Sequence, residues 1–444
     1  MRRKTFLKSL LGTVTLTGLS CCTPEKEKSG KILKRENTIG KIAGFTLGEL
    51  REQYKYDLFD DFLPFMEKYV IDHEFGGFLC NTDRDGTNIT KNKSTWFEGR
   101  GIWVYSFLYN NFGHEQKYLE VSRKSVEFVM KHKPSGNSLW PGAFTREGKQ
   151  IGEQADNIYG DLFLANGFAE YSKATNDEEY RNLAKEILLK CVSIYDDPKY
   201  SYHVTYGPQI SPMKGERVLG HWMVLLRLAT QMLDTNPDPE IEKISDRCID
   251  AIMNDHYNPA FKLINEVLTH EMTLPNNEFA QFVYTGHALE TLWMLLYEAV
   301  RKKDVVLFNL AAKRFKRHLE VAWDDVYGGV FRCLDHVDKN IWKVDKVLWA
   351  QEEVLIGLLF IIEHTNAQWA KDWFTKMYTY VKDKFPLKQY GFPLWILGAD
   401  RKVTFEKNAT RVGNFHHPRH LMLNLLSIER MIKRNGAVSD FFSQ

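Results

Sequence analysis

Six stretches of the chain carry apolar residues at steps of three and four, the spacing of a helix face that meets a core. They run through Arg100-Ile102-Trp103-Ser106-Phe107-Tyr109, Gly160-Leu162-Phe163-Asn166-Phe168-Tyr171 and Gly220-Met223-Leu226-Ala229-Met232. The other three are His287-Leu289-Leu292-Leu296-Ala299, Gln351-Val354-Leu355-Leu358-Ile361 and Pro418-Leu421-Leu425-Ile428. Most are followed by a second, more charged helical pattern, such as Lys117 to Lys131 and Asp177 to Asp196. Between the pairs recur short bends that bear Gly and Asp. The clearest are Asp72-His73-Glu74-Phe75-Gly76-Gly77-Phe78, followed by Asp83-Arg84-Asp85-Gly86, and Trp323-Asp324-Asp325-Val326-Tyr327-Gly328-Gly329-Val330. Weaker copies lie at Leu139-Trp140-Pro141-Gly142, Tyr206-Gly207, Pro259-Ala260-Phe261 and Tyr390-Gly391-Phe392 with Ala399-Asp400-Arg401. Their starts fall roughly 55 to 65 residues apart, a period that marks a repeat architecture. Six apolar helices alternating with six amphipathic ones predict an all-α (α/α)6 barrel with short β-hairpins at one end.

The polar residues of the apolar helices gather at their N-terminal ends: Arg100, Asp161, His221, His287, Gln351 with Glu353, and His416. In a barrel of parallel inner helices those ends share one mouth, where helix dipoles favour developing negative charge. Any one of these residues alone is better explained as a cap or a satisfied core polar group. The shared position of all of them predicts a site. Phe415-His416-His417-Pro418-Arg419-His420 and Gly286-His287-Ala288-Leu289-Glu290 are its richest stretches, because histidine both gives and takes a proton near neutral pH.

Composition narrows the function. The net charge of +2 gives no reason to expect nucleic acid or an acidic partner surface. Eleven Trp, 20 Tyr and 28 Phe suit a sugar-handling cleft, although most must simply fill the core. Residues 1–22 read as a targeting segment, with basic Arg2, Arg3, Lys4 and Lys8 before an apolar run from Leu10 to Leu19. The end of that run, Leu19-Ser20-Cys21-Cys22, resembles a bacterial lipoprotein signal, with Cys21 or Cys22 as the lipidated residue. This predicts an exported protein held on a membrane of the periplasm or cell envelope by a lipid anchor. Residues 23–45 read as a flexible tether, and 46–444 as one barrel domain. Cys80, Cys191, Cys248 and Cys333 show no CxxC spacing and are expected to be buried thiols.

Four stretches carry a family resemblance. Trp96-Phe97-Glu98-Gly99-Arg100-Gly101-Ile102-Trp103 resembles W-x-Q-G-R-x-x-W, with Glu98 where Gln is usual. Gly286-His287-Ala288-Leu289-Glu290-Thr291-Leu292-Trp293 resembles G-H-x-L-E-x-x-W. Leu348-Trp349-Ala350-Gln351-Glu352-Glu353 resembles W-W-x-[QH]-x-E with Leu348 in place of the first Trp, and Phe415 to Arg419 resembles F-H-x-P-R. In this order the four are similar to the N-acylglucosamine 2-epimerase family, which includes renin-binding protein and the cellobiose 2-epimerases. The resemblance implies an (α/α)6 barrel and a cofactor-independent isomerase acting on a reducing sugar. It allows a nucleotide as allosteric activator, and a homodimer.

The residues suit that chemistry. Epimerisation at C2 removes a proton beside an open-chain aldehyde and returns one to the other face, most simply with two bases. His287 and His416 fill those roles, and Arg100 is the fixed cation that meets the enediolate oxygens. Glu353 and Glu290 are expected to orient the histidines or Arg100. Trp349, Trp96, Gln351 and His221 are expected to line the sugar site, His221 with an equal claim to a structural role. The form of the last motif and the missing first Trp lean toward N-acylglucosamine and N-acylmannosamine as the sugar pair. The runner-up is epimerisation or isomerisation of mannose, glucose, cellobiose or mannobiose. A glycoside hydrolase would need two carboxylates across the scissile bond, for which Glu98, Asp161 and Glu353 are the available acids. A non-catalytic sugar-binding protein is the third class. His416 and His420 have the i, i+4 spacing of a zinc pair, but no HExxH, cysteine pair or nearby third ligand accompanies them, so no metal is expected. His417 and His420 are expected to cap or flank the helix.

Overall fold

Inner and outer helices differ in how much of their surface is apolar, and the fold follows from that difference. The computed structural model describes residues 38–83, 85–204, 213–387, 391–393, 396–397 and 414–443. The inner helices are α3 (Thr95–Asn111), α5 (Tyr159–Thr175), α7 (Leu219–Thr235), α9 (Thr285–Lys302), α11 (Leu348–Thr365) and α13 (His416–Lys433). They are apolar on nearly every side; each residue of α11 is buried. A helix of that kind must be surrounded. Each inner helix packs on the next, and α13 closes back on α3. The outer helices are α4 (Gln116–Met130), α6 (Glu178–Asp196), α8 (Pro239–Asp250), α10 (Val305–Ala322) and α12 (Gln368–Lys384), each packed on the inner helix before it. The sixth outer position is filled by α1 (Leu47–Lys55), a π-helical stretch (Tyr56–Phe62) and α2 (Leu63–Tyr69), with α1 against α13.

One end of the barrel turns tightly. Asn176, Lys303 and Asn366 follow α5, α9 and α11 in left-handed conformation, with φ of 56°, 58° and 51°. Asp177 and Asp304 then cap α6 and α10 through their side chains. The chain therefore reverses within two residues, and the longer connections all lie at the opposite end, where the inner helices begin.

Those connections are the predicted hairpins. Strands Lys93–Ser94, Arg217–Val218 and Lys346–Val347 lead directly into α3, α7 and α11. Each pairs antiparallel with a strand of the next connection: Pro141–Phe144, Val267–Leu268 and Ile396–Leu397. The two Gly-Gly bends are built alike. Asp72 pairs with Lys93 at 3.0 Å, and Asp324 pairs with Lys346 at 2.5 Å. Gly76 and Gly77 have φ of 78° and 83°, and Gly328 and Gly329 have 78° and 79°. Glu98 accepts the Phe78 N–H at 3.0 Å, and Gln351 accepts the Val330 N–H at 2.7 Å.

Residues 38–45, expected to belong to a tether, are instead packed on the barrel. Ile39 and Ile42 are buried, and the Ile39 N–H donates to Gly436 at 2.7 Å, so the chain is seated against the barrel from Thr38. Apolar Ile39, Ile42 and Phe45 among polar neighbours are what dock it. Cys21 and Cys22, of which one is expected to be lipidated, lie outside the described residues, as do Arg84, the Tyr206-Gly207 bend, Tyr390 and Ala399-Asp400-Arg401. Cys191, Cys248 and Cys333 are buried free thiols, and Cys80 is a half-buried one. Among the described residues no helix is long and apolar enough to cross a membrane.

Candidate active site

The starts of five inner helices and the residue before α13 form a closed circuit of side chains around the mouth. The Arg100 guanidinium lies over Trp96 at 4.7 Å, and Trp96 packs on Tyr159 at 4.9 Å. Tyr159 and His287 approach each other across Gly220: a Cβ there would stand 2.0 Å from the Tyr159 hydroxyl and 3.2 Å from His287 Cε1. His287 lies 5.8 Å from Trp349, Trp349 lies 5.2 Å from His416, and His416 lies 5.4 Å from Phe415. Phe415 returns to Arg100 at 4.8 Å. His287 and His416 thus flank one indole.

Each histidine is fixed by a buried carboxylate. His416 Nδ1 stands 2.8 Å from Glu353 Oε1, and His287 Nδ1 stands 2.9 Å from Glu266 Oε1. A carboxylate only accepts, so Glu266 favours a proton on His287 Nδ1 and leaves its Nε2 to gain or lose one, whereas His416 Nδ1 stands between Glu353 and the Arg419 guanidinium, which is 3.1 Å away. Glu353 is itself held, by the Trp293 Nε1–H at 2.6 Å and by Arg419. Burial pushes the Glu353 carboxyl up, and the Arg419 charge works against that rise. Burial holds His416 well below the usual imidazole range; Glu290 opposes this, while Arg419 and Arg100 add to it. A neutral imidazole in that position is a ready proton acceptor.

Two arginines share the mouth with different duties. Arg419 is committed to Glu290 and Glu353. Arg100 has no carboxylate at ion-pair distance among the described residues, and its buried Nε has no hydrogen-bond partner. Its guanidinium is held by three ring faces, Trp96, Phe163 at 4.2 Å, and Phe415. Burial lowers its pKa to about 9, which leaves it cationic at neutral pH. Of these two arginines it is the one without a carboxylate partner among the described residues.

Several sequence expectations need correcting. Gln351 does not face the sugar: its amide is used on the backbone of Val330 and Val347. His221 is enclosed by Tyr159, Tyr195, Tyr200 and Tyr202, with Nε2 3.1 Å from the Tyr200 hydroxyl. It is fully buried there, and burial lowers its pKa to about 3. Glu290 holds Arg419 rather than a histidine. Asp161 accepts the Trp140 N–H and pairs with Lys190, and Glu98 is spent on Phe78 and Ser125. The acids a hydrolase would need are therefore not gathered in the mouth. His420 turns away from His416, so the supposed i, i+4 pair does not converge. His417 and His420 are buried against Glu352 instead of flanking the helix.

The sequence reading missed Glu266, Arg419, Tyr159 and Phe415 as parts of this site. Glu266 sits in the run Leu263-Ile264-Asn265-Glu266-Val267-Leu268. A lone carboxylate inside an apolar run must find a buried partner, and that was its signal.

Residues 76–419 match the family model of N-acylglucosamine 2-epimerase (GlcNAc 2-epimerase). The chain belongs to that family. It is 26% identical to the N-acylglucosamine 2-epimerase of Bos taurus over 395 residues, 86% of this chain and 92% of the relative. It is 24% identical to the cellobiose 2-epimerase of Dictyoglomus turgidum over 320 residues, 67% of this chain and 77% of the relative. The cellobiose 2-epimerase of Bacillus thermoamylovorans superposes with a TM-score of 0.74 at 16% identity, covering 86% of this chain and all of that structure. That likeness establishes the (α/α)6 barrel.

Proposed function

We propose that this member of the family is a sugar 2-epimerase interconverting N-acyl-D-glucosamine and N-acyl-D-mannosamine without a redox cofactor. The observation that carries the reading is the pair His287 and His416 on either side of Trp349, each oriented by its own buried glutamate. The open-chain sugar lies against Trp349 with C2 between the two Nε2 atoms. One histidine takes the C2 proton, and the electron pair moves onto the aldehyde oxygen to give an enolate. Arg100 stabilises that oxygen. The histidine on the other side, which enters the cycle protonated on Nε2, gives that proton to the opposite face of C2 as the aldehyde re-forms, and exchange with water returns both rings to their starting states. The N-acyl sugars are favoured because the relatives matched over the greater length are N-acylglucosamine 2-epimerases.

A proton NMR time course in D2O with N-acetylglucosamine, mannose, glucose and cellobiose tests this. N-acetylmannosamine signals should grow in, with loss of the C2 proton. Faster turnover of the unmodified hexoses or of cellobiose would replace the proposed substrate, and release of glucose from cellobiose would make the protein a hydrolase.

We further propose that the chain is exported and held on a membrane through Cys21 or Cys22, on the strength of the apolar run that ends there. Two or more acyl chains are needed for stable anchoring. A chain with Cys21→Ala and Cys22→Ala that still partitions into detergent would overturn this.

A further inference from the structure

Adjacent residues on a helix point about 100° apart. Glu353 and His416 face the mouth, so their neighbours Glu352 and His417 face outward, toward α1 and the π-helical stretch. There they meet His420, one turn along α13. Glu352, His417 and His420 are all buried, and they offer one ligating atom each within 4.8 Å of one another. Glu352 Oε1 is hydrogen-bonded to His417 Nδ1 and lies 3.5 Å from His420 Nδ1. Neither His420 Nδ1 nor Glu352 Oε2 has a hydrogen-bond partner, although both are shielded from solvent. Two unsatisfied polar atoms at one buried point are costly unless something sits between them.

The surroundings fit a cation. His420 Nε2 stands 3.1 Å from the Tyr54 hydroxyl, which also takes the Asn424 amide N–H at 2.9 Å. In the tautomer that donates its Nε2 proton to Tyr54, His420 has an Nδ1 lone pair on the carboxylate side, the form a bound cation would select. An oxygen that orients the second ring nitrogen in this way is the usual support of a metal-bound histidine. Ligands about 2.0–2.1 Å from a tetrahedral zinc stand roughly 3.3–3.4 Å apart, close to the separation of His420 and Glu352, while His417 and Glu352 are closer, in a direct hydrogen bond whose proton the ion would replace as the pair opens. A cavity of about 200 Å³ opens onto the cluster, lined by Tyr54, Asp57, Asp61, Tyr378 and Lys382 among others. It supplies a route of entry and room for a fourth, water ligand. Glu352 and His417 also fall on positions that the family stretches leave unspecified, apart from the residues that line the mouth.

We propose that Glu352, His417 and His420 bind one divalent ion of the zinc class, which pins the start of α13 to α11. Two imidazoles and a carboxylate select Zn²⁺, Co²⁺ or Ni²⁺ over Ca²⁺ or Mg²⁺. The proposal stands apart from the sugar chemistry and is tested without it.

The full chain, stripped with a chelator and dialysed, is titrated with ZnCl₂ against a chromophoric competitor. One equivalent should bind, and the melting temperature should rise with it. His420→Ala and Glu352→Gln should weaken binding on the order of 10²-fold or more, and Tyr54→Phe by about 10-fold. His417→Cys should retain the ion and give Co²⁺ a thiolate charge-transfer band. Circular dichroism establishes that each variant is folded. A folded wild-type chain that takes up less than about 0.1 equivalent overturns the proposal whatever the variants do, and leaves the cluster a hydrogen-bonded network. Uptake unchanged in folded His420→Ala overturns it equally.

Discussion

At the scale of single residues the mouth separates charges that must act from charges that must hold. Arg419, buried, and Arg100, half-buried, are both cations near His416, yet one is consumed by Glu290 and Glu353 while the other rests on aromatic faces. The planar guanidinium suits that setting; an ammonium neither stacks as well nor reaches two oxygens. Arg100→Lys keeps the charge and should still lower kcat on the order of 10²-fold, the usual cost of losing one oxyanion donor. Steady-state kinetics check this, and near-normal turnover would remove Arg100 from the chemistry. Arg100, His287 and His416 were legible in sequence because each opens an apolar helix. Glu266 was not, since its partner lies 21 residues along the chain and on a different element.

At the scale of elements, polar groups in the first turns of the inner helices do two jobs that sequence spacing does not separate. Glu98, Asp161 and Gln351 anchor the preceding hairpins, whereas Arg100 and Glu353, two residues past Glu98 and Gln351, face the mouth. Two residues along a helix is over half a turn, and only packing says which face is which. The inner and outer helices themselves were legible, because their apolar patterns differ along the whole length. The Gly-Gly bends are where this anchoring is tightest. A Cβ on Gly77 would stand 2.3 Å from Glu98 Oε2, and one on Gly329 would stand 2.5 Å from the Tyr380 ring. Gly77→Ala and Gly329→Ala should each cost about 1–3 kcal/mol of stability. Gly142→Ala, with no atom within 4 Å of the added carbon, should change stability by less than about 0.5 kcal/mol. Denaturant unfolding distinguishes the two classes, and equal effects at all three sites would contradict the assignment.

At the scale of the whole molecule, closing a barrel buries histidines that the unfolded chain would protonate in mild acid. Burial lowers His221 to about 3 and His256, His318 and His364 to about 4. Their contribution is complete above the ordinary imidazole value near 6.5 and is lost as pH falls from there toward 4, since the unfolded chain takes up the protons first. Glu98, raised by burial to about 7, acts in the opposite sense: it favours the fold below its ordinary value, and that support is lost as pH rises through 7. These buried rings, with His416 held low beside them, should outweigh Glu98 and the other carboxyls raised by burial, Asp161, Asp234, Asp345 and Glu353, and make the melting temperature fall from pH 6.5 to 4. His318→Gln should flatten that fall, because His318 Nε2 accepts the Ile264 N–H only while unprotonated. A melting temperature that rises over this range would contradict the burial of these rings in solution.

Closure also sets His287 of α9 and His416 of α13 on either side of Trp349, and the account of function rests on that placement. Solvent exchange at C2 measures it directly. In His287→Asn and in His416→Asn net epimerisation should fall about 10²–10⁴-fold, the usual size of a general acid–base contribution. One epimer should still exchange its C2 proton with D2O in each variant, and the competent epimer should differ between the two. Exchange of the same epimer by both variants would mean that a single base serves both faces, and full epimerisation by both would remove the histidine pair from the mechanism.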